Sequence, residues 1–284
     1  MNKKYEIAGH RFEVSGEKLC AAVTSIQGFK PFEVLGGEVD FLFREGVRED
    51  IPEEISVQYL FDYEDVTGSF IRTAEGYRLR LKPAEEDAFE MWCKENGHVV
   101  FLYGNWSARL YRFALWVGFG LMSLSRNTLA IHSSCIVYKG KAVLFLGESG
   151  TGKSTHTRLW REHIPAAELL NDDSPILRVE NGKVWAYGSA WSGKTPCYKN
   201  ERYELKGCVR LSQAPYNRIS KLSVLQAYGA LHPSCAPEFA YDSALYDEVS
   251  CIIGQILEVV PFYHLACLPN REAALLSFET LFAE

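Results

Sequence analysis

Several patterns that would point straight to a function are missing from this 284-residue chain. None of its eight cysteines belongs to a C-x-x-C pair, and its seven histidines show no H-E-x-x-H or similar spacing, so no zinc centre is expected. No run of Lys and Arg stands out and the formal net charge is -6, which leaves no electrostatic footprint for nucleic acid. Long hydrophobic runs are missing too. The longest apolar region, Leu110 to Leu124, is interrupted by Arg112, Gly118 and Gly120. It is too short to cross a bilayer and reads as a core helix, so no membrane partner is expected. The opening residues MNKKYEIAGHRFEV contain no apolar stretch of signal-peptide length, and the cysteines are scattered. Together these read as a cytoplasmic protein with reduced thiols. No internal repeat or low-complexity segment is visible. What remains is ordinary globular material, 47% hydrophobic, enough for one large domain or two modest ones.

One stretch then stands out. Ala142 to Leu146 reads as a short buried strand, and Gly147-Glu148-Ser149-Gly150-Thr151-Gly152-Lys153-Ser154 fits G-x-x-x-x-G-K-[ST]. Thr155 follows, and a helix from Ser154 to His163 closes at Pro165. A strand, a glycine-rich loop and a helix are what a phosphate site needs. The glycines can take positive φ, which turns successive backbone N–H groups inward. The helix adds its N-terminal dipole. Lys153 supplies a mobile charge for β- and γ-phosphates, and the Ser154 hydroxyl can ligate the Mg²⁺ that bridges them. Cofactor-binding residues are therefore expected at 147–155, with ATP and Mg²⁺ as the cofactors.

The rest of the chain supplies context. Strands are expected at Tyr5 to Val14 with a turn at Gly9, Val39 to Phe43, Ser56 to Phe61, and Ser69 to Leu81 broken at Glu75-Gly76, forming a half-buried antiparallel sheet. Pro83 and the acidic run Glu85-Glu86-Asp87 predict a helix over Ala84 to Glu95. A long helix, Trp106 to Ser125, leads to a strand at Leu129 to Tyr138, and Lys139-Gly140 turns into the strand that feeds the loop. A second hairpin turns at Asn181-Gly182, unlike the strict βαβ alternation of Ras-like or RecA-like domains. Helices at Leu222 to Leu231, Ser243 to Val259 and Asn270 to Phe282, with a strand at Phe262 to Leu268, complete the reading. The expected domains are a β-rich N-terminal region, 1–105, and a P-loop nucleotide-binding domain, 106–284.

Ala167 to Asp173 reads as a short strand ending in paired aspartates about twenty residues past the loop lysine, where a second magnesium-binding element should sit. Beyond it, Gly193-Lys194 on a Gly/Ser-rich turn could bring a second cation to the phosphates; a loose surface loop would look the same. The basic stretch through Lys199, Arg202, Lys206, Arg210 and Arg218 has the character of such loops. His132, alone on an apolar strand, would ordinarily be a satisfied core residue.

With these residues in place, the segment from about 129 to 215 resembles the catalytic domain of HPr kinase/phosphorylase, within the phosphoenolpyruvate carboxykinase-like P-loop kinases. The likeness rests on Ala130-Ile-His132-Ser-Ser, the strand-turn-strand, GESGTGKS and Asp172-Asp173. It implies an α/β fold of α+β character with a mixed sheet, and an ATP-dependent kinase that moves the γ-phosphoryl group to a hydroxyl, of a protein serine or a small molecule. It further implies Lys153 as phosphate clamp, Ser154 and Asp172 near the metal, one aspartate of the pair as base, and His132 beside them. Thr155 stands where the family has an acidic residue, and the signature linked to the reverse phosphorylase reaction is not recognisable. The alternative of another class is a non-catalytic ATP-binding regulatory or interaction module. Homo-oligomer formation is compatible with either.

Overall fold

The computed structural model describes residues 2–46, 51–63, 65–85, 87–104, 107–193 and 195–283. Two compact units account for them, Met1–Ser125 with Glu238–Tyr246, and Arg126–Pro237 with Asp247–Glu284.

Alternating burial builds the first unit. Its nine strands are β1 (Asn2–Ile7), β2 (His10–Ser15), β3 (Glu33–Val34), β4 (Phe41–Glu45), β5 (Glu54–Tyr63), β6 (Val66–Thr73), β7 (Gly76–Pro83), β8 (Phe89–Lys94) and β9 (Val99–Tyr103). They form one sheet in the order β3-β1-β2-β4-β9-β8-β7-β6-β5. Tyr5, Phe12, Val14, Phe41 and Phe43 point to one face and are fully buried. Phe12 stacks on Phe41 with ring centroids 5.4 Å apart and meets Phe119 of helix α2 at 6.1 Å. Helices α1 (Glu17–Ser25) and α2 (Ala108–Leu124) supply the rest of that core. Ser107 caps α2 by accepting the Leu110 N–H; the expected start at Trp106 lies outside the described residues. Residues 238–246 complete the unit: Tyr241 stacks on Tyr59 at 4.5 Å, Phe239 lies 6.3 Å from Phe70, and Asp242 accepts the Tyr77 hydroxyl at 3.3 Å.

Two expectations need correction here. The sheet is mixed, because β2–β4 and β4–β9 are parallel. Each of those pairs is joined by a long crossover instead of a hairpin, one containing α1 and the other β5 to β8. The helix predicted over Ala84 to Glu95 is strand β8, with Glu86 outside the described residues. Phe89 to Cys93 are all buried, and β8 lies between β7 and β9, so two ladders override the helical start signals.

The second unit contains β10 (Thr128–Ala130), β11 (Ser133–Tyr138), β12 (Lys141–Leu146), α3 (Lys153–His163), β13 (Glu168–Asp173), β14 (Ile176–Glu180), β15 (Lys183–Tyr187), β16 (Arg202–Gln213), β17 (Arg218–Lys221), α4 (Val224–Leu231), α5 (Ser243–Val259), β18 (Phe262–Cys267) and α6 (Arg271–Phe282). Its sheet runs β10-β14-β15-β16-β12-β11-β13, with β18 on β16 and β17 on β18. Among the described strands of this sheet, only β12–β16 and β16–β18 are parallel pairs. Helices α3 and α6 pack over Ile136, Val143, Phe145, Val209, Leu211 and Leu265. Trp160 is fully buried between Phe145 and Phe278, at 5.5 and 5.7 Å. Ser223 and Gln226 form a capping box on α4, which sets its start two residues later than the expected Leu222.

The predicted strand over Leu129 to Tyr138 is two strands. β10 pairs with β14 and β11 with β12, so Ile131 and His132 sit at the break between them. The basic stretch expected as loops contains the twelve-residue β16, which lies beside β12 in the middle of the sheet. Leu205, Val209 and Leu211 are buried there while Lys206 and Arg210 face solvent. No described helix is long and apolar enough to cross a membrane.

Candidate functional site

The site lies where β12 ends. Gly147, Gly150 and Gly152 take φ of 145°, 81° and 102°. A Cβ at Gly147 would come within 2.7 Å of Thr151 Oγ1 and 3.2 Å of the Leu211 carbonyl oxygen, so glycine is required there by space as well as by backbone conformation. At Gly150 and Gly152 a Cβ would meet nothing within 4 Å, and the requirement is conformational alone. Thr151 ties the loop by donating from its hydroxyl to Glu148 O at 2.8 Å, and Gln213 Nε2 donates to Gly150 O at 3.2 Å. Ser149 is exposed, Thr155 is half-buried, and Ser154 is exposed on the first turn of α3.

Lys153 begins α3 and is 8% exposed. Its Nζ donates to Gly147 O at 2.7 Å and Glu148 O at 3.2 Å, and lies 3.2 Å from His132 Nε2. Burial lowers the Lys153 pKa, and the charges of Asp173 and Asp172 act in the opposite direction. Because an ammonium only donates, His132 Nε2 must accept, which leaves the proton on Nδ1. Nδ1 is 3.3 Å from Asp173 Oδ1. Lys153, His132 and Asp173 thus form one continuous polar chain.

Strand pairing explains how distant residues meet. The β11–β12 hairpin pairs Ser134 with Phe145, so His132 falls level with the first loop glycine. On its other side β11 pairs Ser133 with Asp173 and Ser134 with Asp172. The two aspartates then diverge, as successive strand residues must. Asp172 is 2% exposed, with Oδ1 accepting the Ser134 hydroxyl at 2.5 Å and Oδ2 buried without a hydrogen-bond partner among the described residues. The Asp173 side chain is 34% exposed, and that of His132 47%.

A loop from Gly188 to Lys199 packs around the aspartates. Gly193 N–H donates to Asp172 O at 2.5 Å, and a Cβ on Gly193 would lie 2.7 Å from that oxygen. Asn171, fully buried, donates through Nδ2 to Ser189 Oγ at 3.2 Å and Trp191 O at 2.9 Å and accepts the Ser174 N–H at 2.9 Å. Lys194 lies outside the described residues. Ser134 and Asn171 were not singled out from the sequence as site residues, and Gly193 was read only as part of the turn that carries Lys194.

Among the described residues no three His, Cys, Asp or Glu side chains form a metal cluster. A magnesium ion carried on nucleotide phosphates takes only one or two protein ligands. The orphaned Asp172 Oδ2 has the chemistry of such a ligand, and buried carboxylate oxygens are rarely left unpaired.

No protein-family model matches the chain, and no curated protein does. Among solved structures, the HPr(Ser) kinase/phosphatase from Coxiella burnetii is similar at 15% identity and a TM-score of 0.30, over 54% of this chain and 92% of that chain. This is a weak and distant structural likeness to a kinase/phosphatase.

Proposed function

We propose that the chain is an ATP-dependent phosphotransferase that moves the γ-phosphoryl group to a hydroxyl acceptor, either a serine of a protein or peptide or a small alcohol. One observation carries the reading: a loop lysine, a histidine and a solvent-open aspartate are linked at 3.2 and 3.3 Å beside a glycine loop with three positive φ angles. The loop N–H groups and Lys153 hold the phosphates. Asp173, the open aspartate, accepts the proton of the acceptor hydroxyl, whose oxygen forms the new P–O bond as ADP departs with the electrons of the old one. His132 Nδ1, 3.3 Å from Asp173 Oδ1, orients that carboxylate electrostatically. Ser154 and Asp172 hold magnesium, which when bound neutralises charge on the β- and γ-phosphate oxygens. The buried Asp172 suits that fixed role, whereas a base must be reachable by the acceptor.

The test uses purified protein, γ-labelled ATP, Mg²⁺ and the soluble extract of its source cells. Wild type is expected to label a protein band or a small molecule, and Lys153→Ala to lower turnover by about 100-fold or more while remaining folded. Retained turnover in Lys153→Ala refutes the assignment. Tight nucleotide binding with no transfer by wild type would identify a regulatory ATP-binding module instead.

A further inference from the structure

Among the described residues, the sheet of the first unit has one long edge without a partner strand. Of the two end strands in its sheet, β3 is two residues long and β5 is ten. Among the described residues β5 pairs only with β6. Register shifts interrupt that ladder between Glu54 and Ser56 and between Val57 and Tyr59, but from Tyr59 to Tyr63 the pairing is regular. Bulges, prolines and lysines are the usual protection of an edge. Here the regular half has none of them, and Leu60 within it is 67% exposed, with Ile55 at 66% and Val57 at 45% further along.

The charge on this edge has one sign. From Glu53 to Asp65 the sequence holds five acidic residues and no Lys or Arg. Glu54 lies 3.9 Å from Arg78, and Asp65 pairs with Arg109, but Glu53 and Asp62 are in no ion pair among the described residues. A second copy paired along the same edge would set these acidic strands against one another, which disfavours self-association. The strand is also held stiff from behind: Tyr59 stacks on Tyr241 at 4.5 Å and on Phe61 at 5.5 Å, and Tyr63 on Phe113 at 4.5 Å. A rigid edge lowers the ordering cost of docking.

We infer that the free edge of β5 takes up an extended polypeptide segment bearing apolar and basic side chains, by strand addition along Tyr59 to Tyr63. Main-chain hydrogen bonds supply the pairing, Leu60 an apolar contact, and Asp62 the charge selection. This docking needs no phosphoryl transfer and stands or falls separately from it.

The test is fluorescence anisotropy of the full chain with a labelled peptide, Lys-Val-Thr-Val-Thr-Val-Lys, against its glutamate-flanked counterpart and a version N-methylated at alternate amides. The basic peptide is expected to bind about tenfold tighter than the acidic one, and the N-methylated peptide not to bind. Leu60→Lys is expected to weaken binding of the basic peptide about fivefold or more, and Asp62→Lys to narrow or invert the preference. Equal binding of basic and acidic peptides, or full binding of the N-methylated one, overturns the inference. So does a concentration-dependent dimer abolished by Leu60→Lys, which would mean that a second copy occupies the edge. The N-methylated comparison uses the unaltered chain, so it does not depend on any variant folding.

Discussion

Replacing Ser134 by alanine removes a single hydroxyl, and the structure sets how much that should matter. The hydroxyl donates to Asp172 Oδ1 at 2.5 Å, while Oδ2 of the same carboxylate is buried without a hydrogen-bond partner among the described residues. Ser134 and Asp172 are 1% and 2% exposed, so solvent cannot readily replace the lost donor. A hydrogen bond to a charged acceptor contributes about 1.5–3 kcal/mol, and stranding the acceptor in the interior places the loss toward the upper end. For a unit of this size that corresponds to a fall in melting temperature of roughly 3–12 °C. Urea denaturation of wild type, Ser134→Ala, Asp172→Asn and the double variant would measure the loss and the coupling in one cycle. A Ser134→Ala loss below about 0.5 kcal/mol, or strict additivity of the two substitutions, would show that the hydroxyl does not hold the carboxylate.

The remaining predictions concern the same unit. Gly193→Ala puts a Cβ 2.7 Å from the Asp172 carbonyl oxygen and 3.2 Å from Asp173 Cβ. It should displace the aspartates at a cost of about 1–3 kcal/mol, with phosphoryl transfer falling more than stability; unchanged transfer of labelled phosphate would refute that. His156, on the first turns of α3, is 3% exposed and 3.0 Å from Ser277 Oγ, and burial pushes its pKa down to about 4. The unfolded chain takes up this proton near pH 6.5 and the folded one only near pH 4. The neutral residue therefore contributes fully above pH 6.5, and stability is lost as pH falls through that window, by up to about 3 kcal/mol. Denaturation of wild type and His156→Gln at pH 7 and 4.5 checks this, and equal losses on acidification in both proteins would exclude His156 as the cause.

Much of the site was legible because it is local. The loop, its strand and its helix are contiguous, and the turn at Lys139-Gly140 fixes a register in which Ser134 faces Phe145 and His132 comes level with Gly147. Asn270, the first residue of the helix expected over Asn270 to Phe282, caps α6 by accepting the Ala273 N–H. What could not be read depends on pairing between strands far apart in sequence. Nothing near Ser134 announces that β13 will place Asp172 opposite it, and nothing near Arg202 announces that a charged stretch will lie beside β12. In β16 the alternation is masked by Gly207 and by basic side chains on the exposed face. For β8, acidic residues and proline imitated a helix start, while the two ladders that decide the matter lie in strands on either side.

Tyr241 and Asp242, which stack on Tyr59 and accept the Tyr77 hydroxyl, come from near the end of the chain. More than a hundred residues of the second unit separate them from Ser125. On the ribosome, at about 5–20 residues per second, the first unit therefore waits many seconds for its last piece after its own sheet has emerged. During that interval Tyr59, Phe70 and Tyr77 lack their partners from 238–246, and the nascent first unit exposes an aromatic surface that the finished protein covers. Synthesis of the glycine loop at 147–152 precedes completion of the N-terminal core, so the order in which this protein is made differs from the order in which its units are closed.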